Sequence, residues 1–477
     1  MLSVTSVGFP VFTAVLILVW YTVPHARRWQ AVLAANLLFY LSLDAPGFAV
    51  LLLCTVLVWL SARRLEQGRG WYALGLAGAL GPLLVLKYSG MVLSGLEGLW
   101  QPLGLSYFSL QLTGYLLDVR RKRIAAEPRF ARLLCYAGFF LSITQGPFNH
   151  YDVLMPQLDR PSSYDGQRVW RGASRMVWGY FKKYAIADRA AIVVNEAFLH
   201  PERLDSSQLV FGVVVFALQL YADFSGYTDI VLGAGECLGL SLPENFRQPY
   251  LAQTIGEFWN RWHMSLSGWL NEYIFEPLAW SGWNTRLPVI GRKWSGQPVL
   301  TSLMLTFLVS GLWHGAAWNF VLWGALNGFY QVVSTWTRRG RKKFWKRVGL
   351  PAKHPVRRWW QRFVVFACVC FGYIFFRAPD LASARQYLVC MIRAPGFGVF
   401  SRYWELGLTS RLELVQLLSG LALLAAVDLL HERGLHLRTW VLERPALVRW
   451  CLYEIFLLAF LFLGYFLGGG AFLYARF

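Results

Sequence analysis

About eleven stretches of this 477-residue chain are apolar for long enough to approach or cross a lipid bilayer, and that feature excludes most folds at once. They lie near residues 8–24, 29–43, 46–62, 71–86, 131–148, 207–222, 298–313, 316–336, 363–376, 411–427 and 451–474. Roughly 20 apolar residues in a helix cover the ~30 Å hydrocarbon layer. Shorter runs near 93–117, 176–199 and 226–240 could span, re-enter or lie flat. The expectation is an all-α polytopic membrane protein with about 11 or more transmembrane helices, forming one membrane domain over residues 1–477. Composition agrees: 15% of residues are charged, against about 25% in a typical soluble protein. The first run has no basic segment before it, and further spans follow at once, so it does not read as a cleaved signal peptide.

The formal net charge of +20 would suggest nucleic acid in a soluble protein. Here the basic residues read as loops between apolar runs: Arg27-Arg28, Arg63-Arg64, Arg120-Arg121-Lys122-Arg123, Lys182-Lys183, and an acid-free block from Arg338 to Arg362. Such clusters mark cytoplasmic loops and bind anionic lipid headgroups. Membrane lipid is therefore the expected partner and nucleic acid is not; some clusters could also greet an anionic cytosolic donor. The seven cysteines are scattered without zinc-ligand spacing and read as small hydrophobes, implying neither disulfides nor a metal.

Three longer polar segments interrupt the pattern, at 149–175, 241–297 and 337–362. The middle one carries Trp259, Trp262, Trp269, Trp280, Trp283 and Trp294, a residue type that prefers the membrane–water boundary. Phe258, Trp262, Leu266, Trp269 and Tyr273 recur at helical spacing. Gly256 to Phe275 therefore predicts an amphipathic helix, flat in the interface or re-entrant, lining a cavity.

Four constellations could carry chemistry. His314 lies between two uncharged runs, Val299–Leu312 and Ala316–Gly328. An ionisable group at that depth is costly and marks a functional site by default, and histidine exchanges protons near neutral pH. Ser302, Thr306 and Ser310 precede it at four-residue spacing. They read as a tunnel wall, or as small residues that permit helix packing with hydroxyls bonded back to the preceding turn. Trp313 and Asn319 flank the histidine, and Gly311 and Gly315 could let a substrate approach.

The second constellation is the string Glu257-Phe258-Trp259-Asn260-Arg261-Trp262-His263-Met264-Ser265-Leu266-Ser267. Glu257 and Arg261 stand at i,i+4, a favourable helix pair, and His263 would share a helix face with Trp259, Leu266, Ser267 and Leu270. The third, Asp223-Phe224-Ser225-Gly226-Tyr227-Thr228-Asp229, reads as two carboxylates around a Ser-Gly break, orienting a partner or capping helix ends. The loop Asn245-Phe246-Arg247-Gln248-Pro249-Tyr250 follows it. The fourth, Gln145-Gly146-Pro147-Phe148, is a turn. Phosphate loops, nucleophile elbows, metal-binding helix motifs and dinucleotide fingerprints do not occur. A buried histidine without a nucleophile beside it suits direct transfer, in which it deprotonates a hydroxyl that attacks an activated acyl group.

At these residues the chain resembles the membrane-bound O-acyltransferase family, in its bacterial branch of alginate and peptidoglycan O-acetyltransferases and teichoic-acid D-alanylation proteins. The Glu257–Ser267 string, the Trp313-His314-Gly315 segment, the Asp223–Tyr227 turn and the Asn245–Pro249 loop match in order. The resemblance covers about residues 80–335 and runs more loosely to both ends. Phe148 departs from it, because this branch usually has Ile after the Gly-Pro turn.

The resemblance implies tilted helices around a central tunnel, with His314 as the catalytic histidine and His263 as the second motif histidine. Trp313, Ser310, Asp223, Glu257, Asn260, Arg261, Trp262, Ser267 and Asn319 would line the substrate path. No bound cofactor or metal is implied; the donor would be acetyl-CoA or another acyl thioester. The acceptor would be an extracytoplasmic polysaccharide, reached through a periplasmic or extracellular delivery protein, at a bacterial inner membrane. The rival donor is D-alanine on a carrier protein. Rivals of another class are a proton-coupled transporter or flippase, which predicts internal repeats that the sequence does not show, and a scaffold, which leaves His314 unexplained.

Overall fold

Apolar runs fold as helices here because only helices and closed barrels satisfy their backbone groups within lipid. The computed structural model describes residues 2–93, 96, 98–281, 300–399, 403, 410–466 and 472; Trp283 and Trp294 lie outside them. Among the described residues the one β element is an isolated antiparallel bridge, Phe246 to Trp262. The chain divides into two compact units.

The first unit comprises residues 1–180, 226–244 and 470–476. It is built from α1 (Gly8–Thr22), α2 (Arg28–Leu43), α3 (Ala45–Ala62), α4 (Arg69–Val92), α5 (Leu105–Arg120), α6 (Phe130–Ala137), α7 (Tyr151–Asp159) and nearly all of α8 (Gly166–Phe181). Its core centres on Phe9, Phe39 and Phe140, which are almost wholly buried and pack with ring centroids 6.0–6.4 Å apart. Buried polar groups there are tied to backbone: Asn36 donates to Cys135 O and accepts from Phe140 N, each at 2.9 Å. Phe148, the departure from the family pattern, stacks on Tyr107 at 5.1 Å and 8°, which gives it a packing role.

The second unit comprises 181–225 and 245–469. It holds a π-helical segment at Lys182–Ala187, α9 (Asp188–Leu199), most of α10 (Ser206–Cys237), α11 (Ile255–Trp259), α12 (Met264–Leu270), a second π segment at Asn271–Phe275 and α13 (Glu276–Ala279). Then come α14 (Leu300–His314), α15 (Trp318–Trp336), α16 (Arg338–Arg347), α17 (Pro355–Arg377), α18 (Leu381–Arg393), α19 (Arg411–Glu432), α20 (Leu437–Leu442) and α21 (Ala446–Leu463).

Among the described residues, six helices are long and apolar enough to cross a membrane: α3, α4, α10, α17, α19 and α21; α1 and α14 are apolar but shorter. This is fewer than the apolar runs suggest, for identifiable reasons. The 131–148 run is helical only over α6 and then turns. The runs on either side of Ser225-Gly226 are one 32-residue helix, α10, about 48 Å long at 1.5 Å per residue. The expected break is absent because Gly226 is a helix-packing position: a Cβ added at Gly179 would meet Gly226 O at 2.5 Å. Burial runs from 78% of the apolar window of α10 to 6% in α21.

Lys182 and Lys183 also depart from the loop reading. They are 3% and 2% exposed in the π segment. Lys183 pairs with Asp188 at 2.8 Å and Asp223 at 3.0 Å, and Lys182 donates to Ser225 Oγ at 2.8 Å. Each buried ammonium head thus has the hydrogen-bonding partner that burial of a charge requires.

Candidate active site

His314 is the last residue of α14 and is 4% exposed. Its imidazole is held among aromatic rings in T-shaped contact: Trp313 at 4.9 Å, Trp323 of α15 at 5.0 Å and Phe376 of α17 at 5.3 Å. The sequence stripe leading to it resolves toward packing. Thr306 Oγ1 donates to Ser302 O at 2.7 Å, while Ser302 and Ser310 are buried at 0% and 3% exposure.

Gly311 does not open a path for substrate. A Cβ there would lie 2.3 Å from Phe320 O and 3.1 Å from Gly324 Cα, and one at Gly315 would lie 2.2 Å from the Phe320 ring. Gly311 on α14 and Gly315 just past its end face α15, where Gly324 and Gly328 repeat the spacing. This is the small-residue crossing typical of membrane helices, and it sets Trp323 against His314.

His263 is 1% exposed and lies 5.9 Å from Trp313, ring to ring, so one indole touches both histidines. Phe224 of α10 closes the other side at 4.7 Å. Burial lowers the His263 pKa, because desolvation penalises the charged form, and the ring is neutral at ordinary pH.

The helix predicted for Gly256–Phe275 is broken. α11 ends at Trp259, His263 adopts φ 44° and ψ 52°, and α12 starts at Met264. Trp259 therefore does not share a helix with His263. The break arises because backbone groups that a helix would use are taken by the 245–247 segment: Arg247 N donates to Arg261 O and Met264 N to Asn245 O, each at 3.0 Å.

The remaining predicted residues separate into groups. Arg261 Nη2 bonds Glu257 Oε1 at 2.7 Å, as the spacing predicts, and the guanidinium also forks onto Glu432 at 2.7 and 3.2 Å. Trp262 is buried against Tyr250, Phe258 and Phe246. Ser267 Oγ donates to Trp262 O at 3.3 Å, and Asn260 is exposed. Asp223 pairs with Lys183. Asn319 donates to Ala378 O at 2.8 Å and Phe375 O at 3.2 Å, which anchors the end of α17 that carries Phe376. The structure thus gathers His263, Trp313 and His314, and turns Asn319 and Thr306 to structural tasks. Sequence reasoning missed Trp323, Phe376 and Glu432. The first lay in an apolar run already assigned to span, and the other two are distant in sequence.

The family model for the membrane-bound O-acyltransferases (MBOAT) matches residues 104–376, which include both histidines. The chain belongs to the MBOAT family. It is a multi-pass membrane protein and an acyltransferase. This MBOAT protein is 29% identical over 404 residues to a peptidoglycan O-acetyltransferase of Helicobacter pylori, covering 76% of this chain and 73% of the relative. It is 27% identical over 429 residues to a probable alginate O-acetylase AlgI of Azotobacter vinelandii, covering 86% and 80%. A teichoic acid D-alanyltransferase of Bacillus subtilis is 27% identical over 286 residues, covering 57% and 68%.

Proposed function

We propose that this MBOAT protein moves an acetyl group from a cytosolic thioester, acetyl-CoA, to hydroxyls of a cell-surface polysaccharide outside the bacterial cytoplasmic membrane. The observation that carries the reading is His314: a buried imidazole at a helix C-terminus, caged by three aromatic rings and joined through Trp313 to His263. His314 takes the proton of the attacking hydroxyl, and that oxygen bonds to the thioester carbonyl carbon. The carbon–sulfur bond then breaks, and the departing thiolate takes the proton back from the imidazolium. Ester and free thiol result. The carbonyl end of α14 favours the transient positive charge, and the surrounding rings exclude water that would hydrolyse the thioester. His263, neutral and beside the same indole, orients the reacting groups.

The basic loops receive the anionic donor on the cytosolic side, and a path past Trp313 carries the acyl group outward. A periplasmic or extracellular protein completes delivery to the polymer. The test is His314→Ala in cells, with polymer ester content measured. Loss of esters at normal protein level is expected, and unchanged esters overturn the reading.

A second donor, D-alanine on a carrier-protein thioester, is favoured by the likeness to the Bacillus subtilis protein. Turnover of purified protein with an aminoacyl carrier, and none with acetyl-CoA, would select it.

A further inference from the structure

Asn245 has no task in the chemistry above, yet it is fully buried and organises the turn that presents His263. Its side-chain oxygen accepts from Ser265 N at 3.1 Å and Ser265 Oγ at 2.6 Å. Its backbone oxygen accepts from Met264 N at 3.0 Å. The first amides of a helix have no partner within it, and the residue before the helix normally supplies one. Here that residue is His263, whose side chain makes no such cap. Asn245 caps α12 from another segment.

The identity of the capping atom is fixed by chemistry. Ser265 N–H can only donate, so the amide oxygen of Asn245, not its nitrogen, faces α12. That oxygen also lies 3.5 Å from His263 Nδ1. An oxygen at this edge favours the tautomer with the proton on Nδ1, which leaves Nε2 as the accepting nitrogen. His263 is one of three non-glycine residues with positive φ among the described residues. Such a conformation is strained for a residue with a side chain and persists only where its surroundings hold it. The Asn245 bonds and the adjoining Phe246–Trp262 bridge hold it.

We infer that Asn245 is a positioning residue for His263, fixing both the left-handed turn and the tautomer in which the ring meets substrate. The inference rests on the proposed role of His263 in acyl transfer.

The test uses the full chain purified in detergent, with Asn245→Ala and Asn245→Asp made in the parent protein and in a His263→Ala background. In the parent, Asn245→Ala lowers kcat about 100-fold, the scale of a misplaced reacting group, with KM little changed. Asn245→Asp keeps the acceptor for α12 and restores stability, but moves the pH–rate profile because it puts a charge beside Nδ1. In the His263→Ala background, Asn245→Ala costs no more than about twofold, because coupled residues are non-additive. An equal loss in both backgrounds, or full activity of His263→Ala or Asn245→Ala, overturns the inference. Histidine ¹⁵N spectra give an answer independent of turnover. Asn245→Ala must move the His263 ring nitrogens, and unchanged resonances overturn the inference even if His314→Ala has already removed the proposed reaction.

Discussion

Replacing Gly311 by alanine tests whether the α14–α15 crossing is what holds His314 in place. The added methyl would stand 2.3 Å from Phe320 O and 3.1 Å from Gly324 Cα, against an ordinary contact of about 3.5 Å or more. Both neighbours are backbone atoms, so no side chain can swing aside and the helices must separate locally by about 1 Å. Overpacking of this kind costs roughly 1–3 kcal/mol. His314 follows less than one turn later, so the displacement reaches the imidazole and its contact with Trp323. A shift of about 1 Å in a reacting group lowers rate by about 100-fold. The assay pairs acyl transfer by purified protein with thermal unfolding in detergent. Both the melting temperature and kcat should fall, while preference among acyl chain lengths stays the same. Gly268 is the control: it lies in α12 with nothing within 4 Å of an added Cβ, so Gly268→Ala is neutral or stabilises by up to about 1 kcal/mol. Wild-type melting and rate for Gly311→Ala would refute the packing argument. A changed chain-length preference at unchanged stability would instead make Gly311 a substrate contact.

Lys183→Met leaves the buried Asp223 and the partly buried Asp188 without their shared ammonium; the loss is roughly 3–5 kcal/mol in detergent unfolding, and adding Asp223→Asn recovers part of it. Arg261→Lys keeps the charge but loses the two-pronged contact with Glu432, so stability and transfer rate both fall; wild-type behaviour in both would show the fork to be dispensable. Asn319→Leu removes two hydrogen bonds to the end of α17. It lowers stability by about 1–3 kcal/mol and reduces kcat more than KM, as judged by melting and steady-state kinetics.

Much of this was legible from local pattern. Charge-free runs give helices because lipid leaves the backbone no other choice, and His314 stands out because such runs rarely contain an ionisable group. The Glu257–Arg261 pair follows from four-residue spacing, and the pairing survives although the helix stops at Trp259. What failed depends on contacts distant in sequence. Nothing near Gly226 says that the helix carrying Gly179 will press against it within an unbroken α10. Lys182 and Lys183 look like a solvated loop until Ser225, Asp223 and Asp188 are placed around them. The break at His263 is invisible in the hydrophobic period of residues 256–275, because its cause is the 245–247 segment.

That antiparallel contact has a consequence for how this region can vary. Arg247 meets Arg261, Phe246 meets Trp262, and Asn245 meets Met264 and Ser265, so each pairing fixes the next. A substitution between residues 248 and 260 can be absorbed side chain by side chain. Inserting or deleting one residue there slips every pairing at once and turns His263 away from Trp313. The connecting segment works as a ruler, and its length is under tighter constraint than its composition.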